Sequence, residues 1–127
     1  MSDEAQMFRE AVAQERLLVQ RCATCGKASL PPAPSCLHCG SPDVTHVDAA
    51  TSGSLRTWTV THVAFDPAFA GELPYVVGVV DLDDGARLVG TAEVPHERLA
   101  DGLRLSVTWR RSPVDDEPVW AFAEVSG

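Results

Sequence analysis

Basic residues are scarce in this chain of 127 residues: ten lysines and arginines face eighteen aspartates and glutamates, for a formal net charge of −8. A field of that sign repels polyanions, so nucleic acid is a poor default ligand. No stretch approaches the ~20 consecutive apolar residues of a membrane span. The opening MSDEAQMFREAVAQERLL has no apolar run between a basic start and a small-residue cleavage site; it does not read as a secretory signal, and the expected compartment is the cytoplasm. GxGxxG, a phosphate loop and a serine in an elbow motif are all missing, so neither a nucleotide cofactor nor a serine nucleophile is indicated. His46, His62 and His96 are separated by segments that place them on different elements. The length suffices for one ordinary domain, or for a very small one joined to a modest one.

Cysteine is confined to one stretch. RCATCGKASLPPAPSCLHCG, residues 21–40, holds Cys22, Cys25, Cys36 and Cys39, the only four in the chain. In a reducing compartment such clusters hold metal more often than they form disulfides. Each two-residue gap bends the backbone so that both sulfurs point at one centre, and Gly26 and Gly40 permit the positive φ of such a knuckle. Two knuckles make one tetrahedral thiolate site, closed to water and substrate and therefore structural. Zinc is the expected ion, a single one; a rubredoxin-like iron centre uses the same ligands and predicts a red protein. Pro31, Pro32 and Pro34 stiffen the connection between the knuckles. His38 inside the second knuckle and His46 after it read as a solvent-facing and a strand residue.

Ahead of the cysteines, Phe8, Ala11, Val12 and Leu18 recur near helical spacing, which predicts a helix over 4–18 with Ser2, Asp3 and Glu4 at its start. After Thr51, Ser52, Gly53 and Ser54, read as a linker-like junction, the period changes to two. SLRTWTVTHVAF, PYVVGVVDL, ARLVGTAEV, LRLSVTW and PVWAFAEV read as five strands, with a hairpin turn at Asp83, Asp84 and Gly85 and a short helix or turn at HERLADG. Five strands with a helix between the third and fourth is the order of an OB-fold barrel. The expected protein is mainly β: a helix and four-cysteine zinc ribbon over residues 1–47, then an OB-fold over 48–127. The first part carries four basic and five acidic residues, the second six and thirteen.

The ordered set of ERLLVQRCATCGKASLPPAPSCLHCGS, GSLRTWTVTHVAF and ELPYVVGVVDLDDGARL resembles a family of two-part proteins, a rubredoxin-like zinc ribbon followed by an acyl-CoA-associated OB-fold. The likeness covers nearly the whole chain. It implies a non-catalytic accessory subunit with Cys22, Cys25, Cys36 and Cys39 as zinc ligands. The implied partner is a thiolase-like enzyme on a separate chain, in a heterotetramer. Its reaction on an acyl-CoA would be thiolysis, condensation or aldol cleavage of steroid side-chain CoA esters. A MaoC-like enoyl-CoA hydratase is the alternative partner, and a nucleic-acid-binding module using Trp58, Trp109 and Trp120 is the rival from another class.

Candidate contacts with partner or acyl-CoA follow from the same stretch of reasoning. FDPAFAGELPY, residues 65–75, is too long for a tight hairpin and carries Phe65 and Phe69, which suit a docking surface or one wall of an acyl channel; the alternative is a plug for the barrel end. Tyr75 reads as core. CoA phosphates call for cations, and Arg16, Arg21 and Lys27 near the ribbon, or Arg110 and Arg111 at a strand end, are the candidates. Asp81, Asp83 and Asp84 read as a charged hairpin tip, since the spacing of a calcium loop is incomplete.

Overall fold

The computed structural model describes residues 3–30, 32–64 and 66–125. Ser2, Pro31 and Phe65 lie outside the described residues. Helix α1 runs from Asp3 to Ala13, shorter than its apolar spacing predicts. Glu15 takes φ 57°, while Glu15 N–H donates to Val12 O (2.9 Å) and Arg16 N–H to Ala11 O (2.9 Å). This paired closure caps a helix through a left-handed residue, here a glutamate rather than the usual glycine. Leu18 is thereby released into a strand instead of a further helical turn.

Three short strands form the first sheet: β1 (Leu18–Cys22), β2 (Ala28–Ser29) and β3 (Val44–Asp48), antiparallel in the order β2-β1-β3. Five more close into a barrel: β4 (Ser52–Thr61), β5 (Tyr75–Leu82), β6 (Arg87–Ala92), β7 (Arg104–Arg111) and β8 (Pro118–Glu124). Their order around the barrel is β4-β5-β6-β8-β7. A 3₁₀ turn at His96–Arg98 sits between the third and fourth barrel strands, as the OB-fold reading requires. Closure spares about seventy residues the exposed edges of an open sheet.

The junction lies earlier than the serine- and glycine-rich stretch indicates, because Ser52, Gly53 and Ser54 already belong to β4. Small residues serve closure there: Gly53 pairs with Leu82 of β5 on one side and Leu105 of β7 on the other. A Cβ at this position would stand 2.8 Å from Leu82 Cα and closer still to the Asp81 carbonyl oxygen. Only glycine lets the strands meet here.

Alternation fills the barrel. In β5, Val76, Gly78, Val80 and Leu82 are buried while their neighbours are half-buried. Leu55, Val80, Leu105 and Phe122 are fully excluded from solvent. The same apolar cluster continues into the first sheet through Leu17, Val19 and Ala28. Polar contacts hold the junction: Ala49 N–H donates to Leu17 O (2.8 Å), Asp83 N–H to Ser52 O (3.0 Å), and Asp84 accepts from Ala50 N–H (2.8 Å) and Ala86 N–H (3.0 Å). Helix α1 rests on the barrel by an edge-to-face contact of Phe8 with Trp120, ring centroids 5.9 Å apart.

Candidate metal centre and partner-facing surfaces

Cys22 ends β1 and Cys25 follows in the turn to β2; Cys36 and Cys39 repeat the arrangement beyond the connector. Gly26 N–H donates to Cys22 O and Gly40 N–H to Cys36 O, both at 2.9 Å, and the two glycines take φ 76° and 79°. The Cys22 sulfur accepts N–H groups of Thr24 (3.3 Å) and Cys25 (3.4 Å). The Cys36 sulfur accepts those of His38 (3.3 Å) and Cys39 (3.4 Å). The knuckles are thus near copies, each with one buried and one exposed cysteine.

All four sulfurs lie within 4.8 Å of one another, with Cys22–Cys39 at 3.6 Å and Cys25–Cys36 at 3.7 Å. A disulfide needs about 2.0 Å. A tetrahedron with metal–sulfur bonds of about 2.3 Å has edges of about 3.8 Å, which these separations fit. Electrostatics agree. The Cys25 N–H, with that of Thr24, draws the Cys22 thiol down to about 6, and the Cys39 N–H lowers Cys36. Cys39 is drawn down by Ser41 N–H, yet the neighbouring thiols, Cys22 foremost, together with burial push it up to about 12. Crowded sulfurs resist full ionisation unless a cation balances them, so the donor set suits a thiophilic divalent ion.

The connector is held by a residue that the sequence does not advertise. Gln20, 1% exposed, accepts from Ala33 N–H (2.7 Å) and donates to Ser35 O (2.9 Å). Its only sequence signal is a lone amide inside the apolar strand LVQRC. His38 is exposed with Nε2 3.2 Å from Ala28 O, and His46 lies on β3 opposite Gln20.

Phe69 is half-buried in a 3₁₀ turn, Pro67–Glu72, that Asp66 caps by accepting from Ala68 N–H (2.9 Å). Its ring meets Tyr75 at 5.6 Å. Arg110 ties this turn to the barrel with two bonds to Glu72, 2.8 and 2.6 Å, and approaches Glu93 at 4.0 Å. The bonded Glu72 carboxylate raises the pKa of Arg110 further, so this arginine is engaged within the chain. Replacing Glu72 by glutamine is expected to speed amide exchange across residues 66–75 about tenfold, the loss of one partly exposed two-bond pair, while amides of β7 and β8 stay protected. Equal protection in the variant would show that the pair does not hold the turn.

The remaining cations are dispersed. Arg16 pairs with Asp48 at 2.9 Å and lines a cleft with Glu15, Val107 and Trp109. Arg21 and Lys27 are exposed on the ribbon without an ion pair among the described residues, and Arg111 donates to Asp116 O (3.3 Å). The cleft at Arg16 and the crevice at Phe69 share no lining residue, so the candidates of the sequence do not converge on one pocket. The three aspartates of the hairpin are each engaged: Asp81 by Arg87 (2.7 Å) and Arg56 (3.2 Å), Asp83 by Arg104 (2.6 Å), and Asp84 by the two backbone amides. Asp81 and Asp83 are held below the usual carboxylate range by the bonds from Arg87 and Arg104. Trp58, Trp109 and Trp120 pack against the core cluster. Among the described residues no helix is long and apolar enough to cross a membrane.

Comparisons with known proteins follow this geometry closely. The family model described as "ChsH2, rubredoxin-like zinc ribbon domain" matches residues 9–45, and "ChsH2, C-terminal OB-fold domain" matches 46–110. A probable enoyl-CoA hydratase alpha subunit of Thermomonospora curvata is 41% identical over 101 residues, 79% of this chain and 31% of that protein, so the chain spans about a third of that relative's length. A DUF35 domain-containing scaffold protein of Methanocaldococcus jannaschii is 27% identical over 103 residues, 80% of this chain and 72% of that one. Among solved structures, a chain of an Ltp2-ChsH2(DUF35) aldolase superposes with a TM-score of 0.80 at 34% identity, covering 98% of this chain and 96% of that chain. A DUF35-family protein of unknown function from Sulfolobus solfataricus shares the fold, with a TM-score of 0.65 at 12% identity over 98% of this chain and 87% of that one.

Proposed function

The chain belongs to the ChsH2 (DUF35) family, and from that membership we propose that it is a non-catalytic accessory subunit of a thiolase-fold enzyme acting on acyl-CoA thioesters. The observation that carries the reading is the near end-to-end likeness to a chain of an Ltp2-ChsH2(DUF35) aldolase. Retro-aldol cleavage or thiolysis is the reaction class, performed by the partner's residues, and CoA esters of steroid side chains are the substrates that the resemblance implies. Residues 1–47 form the metal-binding part and 48–127 the OB-fold, with one thiolase-like chain paired to each copy in a heterotetramer.

Cys22, Cys25, Cys36 and Cys39 hold one zinc ion. When bound, it balances the thiolate charge and cross-links the knuckles, with no open position for a reactant. The chain's own residues shape the surround: Gln20 fixes the connector, and the amides of Thr24, Cys25, His38 and Cys39 orient the sulfurs. The turn carrying Phe69 borders the partner or the acyl group, and Arg21 and Lys27 offer charge to CoA phosphates. A hydratase partner is the second reading, favoured by the 41% identity to a probable enoyl-CoA hydratase alpha subunit.

Co-expression with the Ltp2-type chain and, separately, with the MaoC-type hydratase chain of the same genome tests both. A stable complex on size exclusion, active on CoA esters only with both chains present and carrying one zinc per copy of this chain, is the expected result with the Ltp2-type partner. If this chain elutes alone and the enzyme works without it, the accessory reading is wrong.

A further inference from the structure

The barrel closes unevenly. β6 and β8 pair in parallel through Thr91–Ala121 and Ala92–Phe122 alone, so Arg87–Gly90 and Pro118–Trp120 face each other across an open seam without ladder bonds. One side chain bridges it: Trp120 Nε1–H donates to Val89 O at 2.9 Å. Two depressions meet at this indole. One, about 460 Å³, lies between α1, the ribbon connector and the barrel, lined by Phe8, Arg9, Leu30, Pro32 and Leu88. The other, about 150 Å³, is lined by Phe69, Val89, Gly90, Pro113 and Val119. Val89, between them, is 53% exposed and Val114 nearby is 57% exposed.

Charge distinguishes these two depressions from their neighbours. The cleft at the junction is lined by Glu15 and Asp48, the hollow behind the β5–β6 hairpin by Asp81, and that beneath the 3₁₀ turn by Glu72 and Glu93. No carboxylate lines either depression at Trp120; their charged residues are Arg9, Arg87 and Arg110. Arg87 is engaged by Asp81 and Arg110 by Glu72. Arg9 is exposed and makes no ion pair among the described residues. On a chain of net charge −8, an approaching acidic group is repelled by most of the surface and favoured here.

We propose that the open seam between β6 and β8 is a docking groove for an extended apolar segment of the partner enzyme, which places side chains in the two depressions beside Trp120 and a carboxylate against Arg9. The proposal rests on the accessory-subunit reading. An extended segment suits the site because β6 and β8 share no ladder over Arg87–Gly90 and Pro118–Trp120, where Val89 O is engaged only by the Trp120 side chain, so an added strand could run along the seam. The groove also needs every part of the chain: α1 supplies Phe8 and Arg9, the connector Leu30 and Pro32, and the barrel Leu88 and Trp120.

The test uses the full chain and the co-purified Ltp2-type chain. Val89→Arg blocks the middle of the seam and Arg9→Glu reverses the rim charge; both positions are exposed, so circular dichroism should match the unaltered protein. Thr45→Arg on exposed β3 is the control. Each of the first two variants is expected to raise Kd at least tenfold, with the control within twofold. A complex that forms normally with the unaltered chain and tolerates both Val89→Arg and Arg9→Glu overturns the groove but leaves the accessory reading intact. Absence of a complex with either the Ltp2-type chain or the MaoC-type hydratase chain removes both. Displacement of the partner by decanoyl-CoA would identify an acyl chain as occupant of the seam and overturn the assignment to a protein segment.

Discussion

Serine in place of Cys36 is expected to empty the metal site, unfold the ribbon and abolish binding of the partner enzyme. Cys36 is 4% exposed, and its sulfur is 3.7 Å from that of Cys25 while accepting two backbone N–H groups. A hydroxyl is a poorer ligand for a thiophilic ion and, being shorter, withdraws from the shared centre. Zinc in small ribbons contributes roughly 10–16 kcal/mol of apparent binding free energy at neutral pH, most of which is folding free energy. The first sheet has few other resources: β2 is two residues long, and Leu18, Val19, Cys22 and Ala28 are its main buried apolar groups. Zinc per chain should fall from one to near zero, with amide exchange across residues 18–48 becoming fast. A variant that lost metal and yet bound the partner as tightly as the unaltered chain would refute a structural role for the site.

The largest effect expected in the barrel is that of Phe122→Ala. Phe122 is fully buried and stands where three strands meet, opposite Ala92 of β6 and Val107 of β7, while its carbonyl accepts Glu93 N–H at 2.7 Å. Truncating a buried phenylalanine costs about 3–5 kcal/mol, the lost transfer free energy plus that of the cavity left behind. Small domains have about 5–15 kcal/mol in total, so the urea midpoint should drop steeply with little change in slope. A loss below about 1 kcal/mol would mean that the barrel refills the space, contrary to the close packing of interiors.

The residues that announced the fold are those whose pattern is local. CxxC spacing followed by glycine encodes each knuckle within five residues, and the positive φ of Gly26 and Gly40 follows from it. Alternation in PYVVGVVDL gives β5 its buried face, that in LRLSVTW turns Leu105, Val107 and Trp109 of β7 to the core, and DDG places the hairpin turn from β5 to β6. Features set by distant partners were hidden. Helix α1 stops at Ala13 because Leu17 and Leu18 are claimed by the core and by pairing with β3, and a period of 3.6 cannot register that competition. Gly53 reads as linker until β5 and β7 are seen to meet across it. Among candidate contacts, Arg16 and Arg110 are committed to Asp48 and Glu72, thirty-two and thirty-eight positions away in sequence. The seam at Trp120 left no mark at all, since it is defined by ladder bonds that are not made.

Continuity of the apolar cluster from Leu17, Val19 and Ala28 into Leu55, Val80 and Phe122 makes the two lobes thermodynamically dependent. An ion that binds only the folded form stabilises it by RT ln(1 + [L]/Kd), and a shared cluster passes part of that increment to the barrel. Free zinc concentration then acts as a dial on the persistence of strands that never touch the ion. If the chain serves a partner enzyme as proposed, a cell short of zinc would lose the partner-binding surface before any residue of that enzyme had changed, so that scarcity of one element would appear as a fall in assembled enzyme.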